Sequence, residues 1–452
     1  MLEAEYGRSG FSLVVVYGRR RLGKTYLLRW FCRSRPCVYY VAAELPYEQL
    51  AAEFSEEASR LTGLPIRGDV VEVLEALCRL WSRGKLVVVL DEFQYMVEAD
   101  PSLPSRLQRS IDMKLHECSM MLVLCGSAVS FFEKRLLGYR APLYGRRTAE
   151  IRLQPLNLEG VWGFNPSLSL EEAALLYMVA GGTPAYLAAI PGRPDHRSFI
   201  RLALTPGSPL YEEPVWLLKE ETREPRTYLA LLRAVAEGRV SPSEAAQAAG
   251  IDPRSVTRYV ELLEELGIVE RVRPLGRRKP VQLRFRDNFF RFWFTFVLPL
   301  RHVAELRGPE EAAKTVEAGL ELYAGRVFSE SLVAELALRL AAGRVVGVRP
   351  VEAGPWWKGG VEIDYVVREP GRATAFFEAK WSSLSLQEAR RVLDALEEKA
   401  RETGLTSPRN YYILVARRLE EPIIEDQFIA VDLRWLQERG VVKPAPRLEA
   451  DA

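Results

Sequence analysis

Eight residues near the N-terminus carry the strongest chemical signal. In Gly18-Arg19-Arg20-Arg21-Leu22-Gly23-Lys24-Thr25, two glycines stand five apart, followed at once by a lysine and a hydroxyl. Glycines at that spacing let backbone N–H groups curl around phosphate oxygens. The lysine then reaches the β/γ-phosphates, and the hydroxyl ligates Mg²⁺. Residues 18–26, closing at Tyr26, are therefore expected to hold ATP with Mg²⁺. Asp91 ends a Val-rich run at 86–90, placed to hold the Mg²⁺ through water. Glu92 follows and is expected to act as the base on the attacking water. Ser127, after the next apolar run, would either contact the γ-phosphate or cap the following helix. Arg140, Arg146 and Arg147 lie beyond it. One of them, Arg146 and Arg147 foremost, would serve as an arginine finger for a neighbouring copy's γ-phosphate; the alternative is a surface ion pair.

The elements that must position these groups follow from hydrophobic pattern. Residues 11–17, 38–41, 86–90 and 121–124 are short apolar runs suited to parallel strands buried on both faces. They alternate with helical stretches at 26–32, 45–61, 70–81 and 105–117, which predicts a doubly wound α/β domain. After about residue 160 helices dominate, with Gly181-Gly182-Thr183-Pro184 as a break. Strands return at 345–348, 361–367, 375–378 and 411–415, with a long helix at 386–402.

Two further constellations carry chemistry. Helices at 228–237, 243–249 and 254–266, with a tight turn at 250–253, have helix-turn-helix spacing. The third would present Arg254 and Arg258 to DNA. A two-stranded wing at 268–273 and 281–285 follows. Residues 267–291 hold eight basic side chains against Glu270 and Asp287, a local +6 that includes Arg277, Arg278 and Lys279. Packing or protein docking is the alternative use of such a unit. In the C-terminal part, Asp364 precedes Glu378-x-Lys380 by one hairpin, with Glu330 upstream. Asp364 and Glu378 would ligate Mg²⁺, and Lys380 would steady an attacking hydroxide or the developing phosphate charge. A solvated strand pair with an ion pair is the alternative.

The 452 residues carry 62 Lys+Arg against 60 Asp+Glu, which excludes a histone-like polycation. Of the basic residues 51 are Arg and 11 Lys. The apolar fraction of 48% excludes a disordered chain. Five cysteines, all within the first 125 residues, and three histidines lack metal-site spacing. The thiols are expected to be reduced and buried, and the chain soluble, cytoplasmic and without a membrane span.

GRRRLGKT at 18–25, LDEFQ at 90–94, CGS at 125–127, LYGRR at 143–147 and GGTPAYL at 181–187 occur in this order along nearly the whole chain. The set resembles an archaeal AAA-type P-loop ATPase family whose C-terminal region is a domain of unknown function. The resemblance implies an ATPase core (1–160), a helical lid (161–225), a winged helix (226–286) and a helical connector with a nuclease-like α/β domain (287–452). The acid–lysine set is similar to that of the PD-(D/E)XK nucleases, although no Pro-Asp pair is present. Members of the ATPase family begin with an acidic/basic stretch before the first strand. Here the chain starts Met1-Leu2-Glu3-Ala4-Glu5, so either the start lies upstream or the adenine pocket is incomplete. The expected function is ATP hydrolysis coupled to DNA, in a homo-oligomer if the arginine finger acts in trans. The alternatives are a nucleotide-dependent, non-catalytic switch for a protein partner and an ATP-gated, Mg²⁺-dependent DNA endonuclease.

Overall fold

The Val-rich runs become the inner strands of a parallel sheet. The computed structural model describes residues 1–343 and 345–446 and divides into two units, Met1–Gln154 and Pro155–Ala452. In the first, β1 (Ser12–Tyr17), β2 (Cys37–Val41), β3 (Leu86–Asp91), β4 (Met120–Gly126) and β5 (Ala149–Arg152) pair in the order β2-β3-β4-β1-β5, all parallel. β1, β3 and β4 are buried along their whole length. Alternation divides each between two cores. Val14 and Val16 pack with Leu28 and Phe31 of the helix Lys24–Cys32. Leu13, Val15 and Tyr17 face Phe54, Leu74 and their neighbours on the other side. This is the expected α/β layering. The edge strand β5 was not expected, because its sequence, Ala-Glu-Ile-Arg, is too short and polar to register as a buried strand.

The cysteines are not all reduced, contrary to expectation. Four cysteines are paired, as Cys32–Cys37 and Cys78–Cys118, and only Cys125 is free. Cys32 ends the helix after the phosphate loop and Cys37 opens β2, so a tight turn brings their Cα atoms to 5.6 Å. Cys78 and Cys118 are 40 residues apart, and only the fold brings their Cα atoms to 5.5 Å.

The second unit opens with helices Leu158–Phe164, Leu170–Ala180, Pro184–Ala188, His196–Leu204 and Pro209–Glu221. The double glycine between the second and third is dictated by close approach. Gly181 has φ +64°, and a Cβ on Gly182 would lie 1.9 Å from the Leu156 carbonyl oxygen. The Leu156 N–H in turn donates to the Gly182 carbonyl at 2.7 Å. Helices Pro225–Ala236, Pro242–Ala248 and Val256–Glu265 follow, then an antiparallel ribbon of β6 (Val269–Val272) and β7 (Gln282–Phe285). Ser241 caps the second of these helices through its Oγ, which accepts from the Glu244 N–H at 3.2 Å.

The last sheet has order β12-β13-β11-β10-β9-β8, built from β8 (Glu352–Lys358), β9 (Val361–Glu369), β10 (Ala373–Leu384), β11 (Arg409–Leu419), β12 (Ile423–Ile424) and β13 (Phe428–Asp432). Residues 345–348, expected as a strand, form a turn and coil instead; the first strand starts at Glu352. β8-β9-β10 is an antiparallel meander, and the helix Leu386–Thr403 crosses over to the parallel β11. Leu393 and Leu396 of that helix are buried on the sheet, each stabilising by about 1.5–3 kcal/mol. Two irregularities interrupt the pairing. Gly354 and Trp356 of β8 face Val366 and Ile363, so β9 carries one extra residue there, in the stretch containing Asp364. β10 has its own shift between Lys380 and Ser383.

Candidate functional site

Gly18 could be no other residue. It has φ +154°, and a Cβ there would sit 2.7 Å from the Leu153 carbonyl oxygen. Gly23, at φ +86° and ψ +20°, ends the loop in the left-handed region and starts the helix Lys24–Cys32. Lys24 is buried, and its Nζ donates to the carbonyls of Gly18 at 2.8 Å and Arg19 at 3.1 Å. Arg19 is buried, Arg21 takes φ +69°, and Arg20 Nη2 donates to Tyr95 Oη at 3.4 Å.

At the end of β3, Asp91 is 1% exposed. Its Oδ2 accepts from Thr25 Oγ1 at 2.9 Å and Tyr39 Oη at 2.7 Å. Burial and the Asp91 charge push the Tyr39 phenol well above its ordinary range. The same two causes hold the Cys125 thiol protonated. Thr25 and Asp91 form a pair of oxygen ligands of the type a hard cation takes, so the residues present fit Mg²⁺.

Glu92 sits in the left-handed region, φ +53° and ψ +42°. Three donors converge on its Oε2: the Ser127 N–H at 3.3 Å, Ser127 Oγ at 3.0 Å, and Gln94 Nε2. Ser127 therefore holds Glu92, whereas the following helical stretch begins at Val129, with the Phe132 N–H donating to the Ala128 carbonyl at 3.1 Å. Gln94 is 3% exposed, and a Cβ on Gly126 would meet its Oε1 at 2.1 Å. That contact gives the glycine of the Cys125-Gly126-Ser127 segment its reason. Tyr39 carries no motif signal of its own, whereas Gln94 closes the LDEFQ segment. Tyr39 is identified by the parallel register, which pairs Val41 with Asp91. Arg146 is ion-paired with Asp112 at 3.0 Å and Arg147 with Glu150 at 3.1 Å, while Arg140 is exposed.

A second constellation lies in the C-terminal sheet. Continuing the β9–β10 register past Tyr365–Phe377 sets Asp364 opposite Glu378. Asp364 Oδ2 accepts from the Ala379 N–H at 2.8 Å. Glu378 is 6% exposed, with Lys380 Nζ at 2.9 Å from Oε1 and Lys399 Nζ at 3.2 Å from both oxygens. Burial, then the facing Glu378 charge, raises the Asp364 carboxyl well above the ordinary carboxylate range. Lys399 comes from the crossover helix and had no sequence signal. Glu330 is not brought to this set; it forms an ion pair with Arg291. Among the described residues no three Asp, Glu, Cys or His side chains gather as a metal cage. Asp364 and Glu378 are a two-carboxylate set that a divalent cation could share with substrate oxygens.

Of the candidate DNA contacts, Arg254, Arg258, Arg277, Arg278 and Lys279 are all exposed. Arg258 stacks over the Tyr259 ring at 4.6 Å. The +6 of residues 267–291 is partly neutralised from outside that segment. Arg271 pairs with Glu264, Arg284 with Glu362, and Arg291 with Glu330.

Residues 1–190 match the model of a family described as an ATPase domain predominantly from Archaea. The first unit is thus a P-loop ATPase domain. Residues 293–392 match a second family, described as archaeal and bacterial proteins of unknown function. An uncharacterized protein of Methanocaldococcus jannaschii is 28% identical over 426 residues, spanning 93% of this chain and 94% of the relative. Among solved structures, the Walker-type ATPase of Pyrococcus abyssi is 20% identical with TM-score 0.49, over 65% of this chain and 93% of that one. The ORC2 protein of Aeropyrum pernix is 16% identical with TM-score 0.39, over 68% and 91%. No described helix is long and apolar enough to cross a membrane.

Proposed function

We propose that this ATPase hydrolyses ATP by in-line attack of water on the γ-phosphate, and that the second unit couples the cycle to DNA. The observation that carries the hydrolytic reading is the shared acceptor Asp91 Oδ2, held by Thr25 and Tyr39 beside a buried Lys24. Backbone N–H groups of Gly18–Thr25 and the Lys24 ammonium bind the phosphates, with Arg19, Arg20, Arg21, Leu22 and Tyr26 completing the loop's surroundings. Thr25 and Asp91 would hold Mg²⁺, which neutralises phosphate charge when bound. Glu92 has Oε2 saturated by Ser127 and Gln94, which leaves Oε1 to take the proton of the attacking water. Arg146 or Arg147 would reach a neighbouring copy's γ-phosphate after leaving its present ion pair. ATP turnover by purified protein tests this: Lys24→Ala should abolish it, and Glu92→Gln should retain ATP binding without turnover. Full turnover in either variant would refute the assignment.

The DNA partner is supported by the helix-turn-helix spacing, the ribbon, and the exposed Arg254, Arg258, Arg277, Arg278 and Lys279. A second reading, Mg²⁺-dependent cleavage of DNA, is favoured by one observation. The two strand irregularities flank Asp364 and Lys380, and such bulges re-aim side chains next to active sites. Asp364 and Glu378 would then ligate the metal and Lys380 would act on the nucleophile. Nicking that is identical in Asp364→Ala and Lys380→Ala protein would refute it.

A further inference from the structure

The ribbon expected to act as a wing does not project freely. Leu275, at its tip, donates its N–H to the Pro355 carbonyl of the edge strand β8 at 2.8 Å. Its side chain packs on the core formed by Trp356, Ile363 and the crossover helix. Next to it, a Cβ on Gly276 would meet Leu405 at 3.6 Å. At the ribbon's base, Arg284 is nearly buried, lies over the Trp357 ring at 5.5 Å, and pairs with Glu362 at 3.8 Å. Glu362 is two residues from Asp364. The ribbon is thus fastened to β8 and β9 at tip and base, and its tip closes part of the otherwise unpaired edge of β8.

This fastening decides where the exposed charge points. Leu275 is taken up by the core, so the flanking Arg273, Arg277, Arg278 and Lys279 are left at the surface. Lys358, exposed at the end of β8, follows directly after Trp357, the ring beneath Arg284. Phe376 packs with the crossover helix, and Glu378, two residues on, shares its face, so the acid–lysine set lies on the same sheet face that receives Leu275.

We infer that the ribbon loop and the β8–β9 turn form one continuous DNA-binding surface, with a duplex backbone running along β8 from Arg277–Lys279 to Lys358. This rests on the DNA reading proposed above and adds its path. Phosphate contacts from both elements contribute to one binding event, each adding about 0.9 to the salt slope.

The test uses full-length protein and a fluorescein-labelled duplex. Anisotropy is measured across a salt series for the wild type, Arg277→Gln/Arg278→Gln/Lys279→Gln and Lys358→Gln, with circular dichroism melting to verify folding. In parallel, a photo-cross-linking residue replaces Arg278 or Lys358. The triple variant should bind at least tenfold more weakly at low salt, with a slope lower by about 2.7, and Lys358→Gln should lower the slope by about 0.9. Both cross-linking positions should capture the duplex. Capture at 278 but not at 358, with an unchanged slope for Lys358→Gln, would overturn the continuous surface and leave DNA binding standing. No binding by the wild type at any salt would end both readings.

Discussion

Gln94→Met separates holding the base from holding the fold. Gln94 is buried, gives one N–H to Glu92 Oε2, and keeps an Oε1 that has no hydrogen-bond partner among the described residues. Methionine has nearly the same shape and neither polar atom. In stability, two terms oppose each other. The lost hydrogen bond to a charged acceptor costs about 1.5–3 kcal/mol, and relief of the orphaned oxygen returns about 1–3 kcal/mol. The net change should stay within about 2 kcal/mol. In catalysis only the loss counts, because the proposed base loses one of three donors that aim it. A deficit of about 1.5 kcal/mol is roughly tenfold in kcat. Ser127 Oγ and N–H remain, so the effect belongs at this lower end. Phosphate release at saturating ATP gives kcat, and its concentration dependence gives KM, which should hardly move. Guanidinium unfolding reports stability. A kcat within twofold of the wild type, or a raised KM at unchanged kcat, would refute the positioning of Glu92 by Gln94.

Other outcomes follow from the same geometry. Gly182→Ala should destabilise the second unit by about 3 kcal/mol or more in chemical denaturation, since its Cβ would fall 1.9 Å from a backbone oxygen. Asp364 has a raised folded pKa, so its protonated form favours the folded state. That stability is fully present below the ordinary carboxylate range and is lost as pH rises through the raised value. Asp364→Asn should therefore gain stability over the wild type from neutral pH upward in metal-free buffer, with the two converging near pH 4 in melting scans. Cys78→Ser opens a 40-residue loop and should lower stability under oxidising conditions by about 4 kcal/mol, with no difference from the wild type after reduction.

What could be read from the chain was chemistry confined to a few consecutive residues. Gly18–Thr25 and Asp91-Glu92 were legible because turn, strand end and ligand type are all local. Tyr39 and Lys399 were not, since each becomes relevant only when register or a crossover delivers it to a carboxylate. Glu330 shows the converse. Its position suggested the acid–lysine set, but Arg291 offered a closer charge. The cysteine pairing was illegible for the same reason, as Cys78 and Cys118 meet only through packing. The expected strand at 345–348 shows the limit of hydrophobic runs: a few valines without partners made a turn.

The extra residue in β9 sets the strand out of phase with itself. Ile363 and Val366 face the same core although three positions apart, a parity that an unbroken strand forbids. β9 therefore counts one frame against β8 before Asp364 and another after it, and Asp364 lies where the count slips. Removing a single residue there would restore regular pairing and turn the stretch containing Asp364 by half a repeat. The chain would still contain Asp364, Glu378 and Lys380, yet they would no longer meet. Across divergent relatives, the length of this strand is accordingly as much a part of the site as its side chains, and an alignment that scores residues but ignores one-residue gaps would not register its loss.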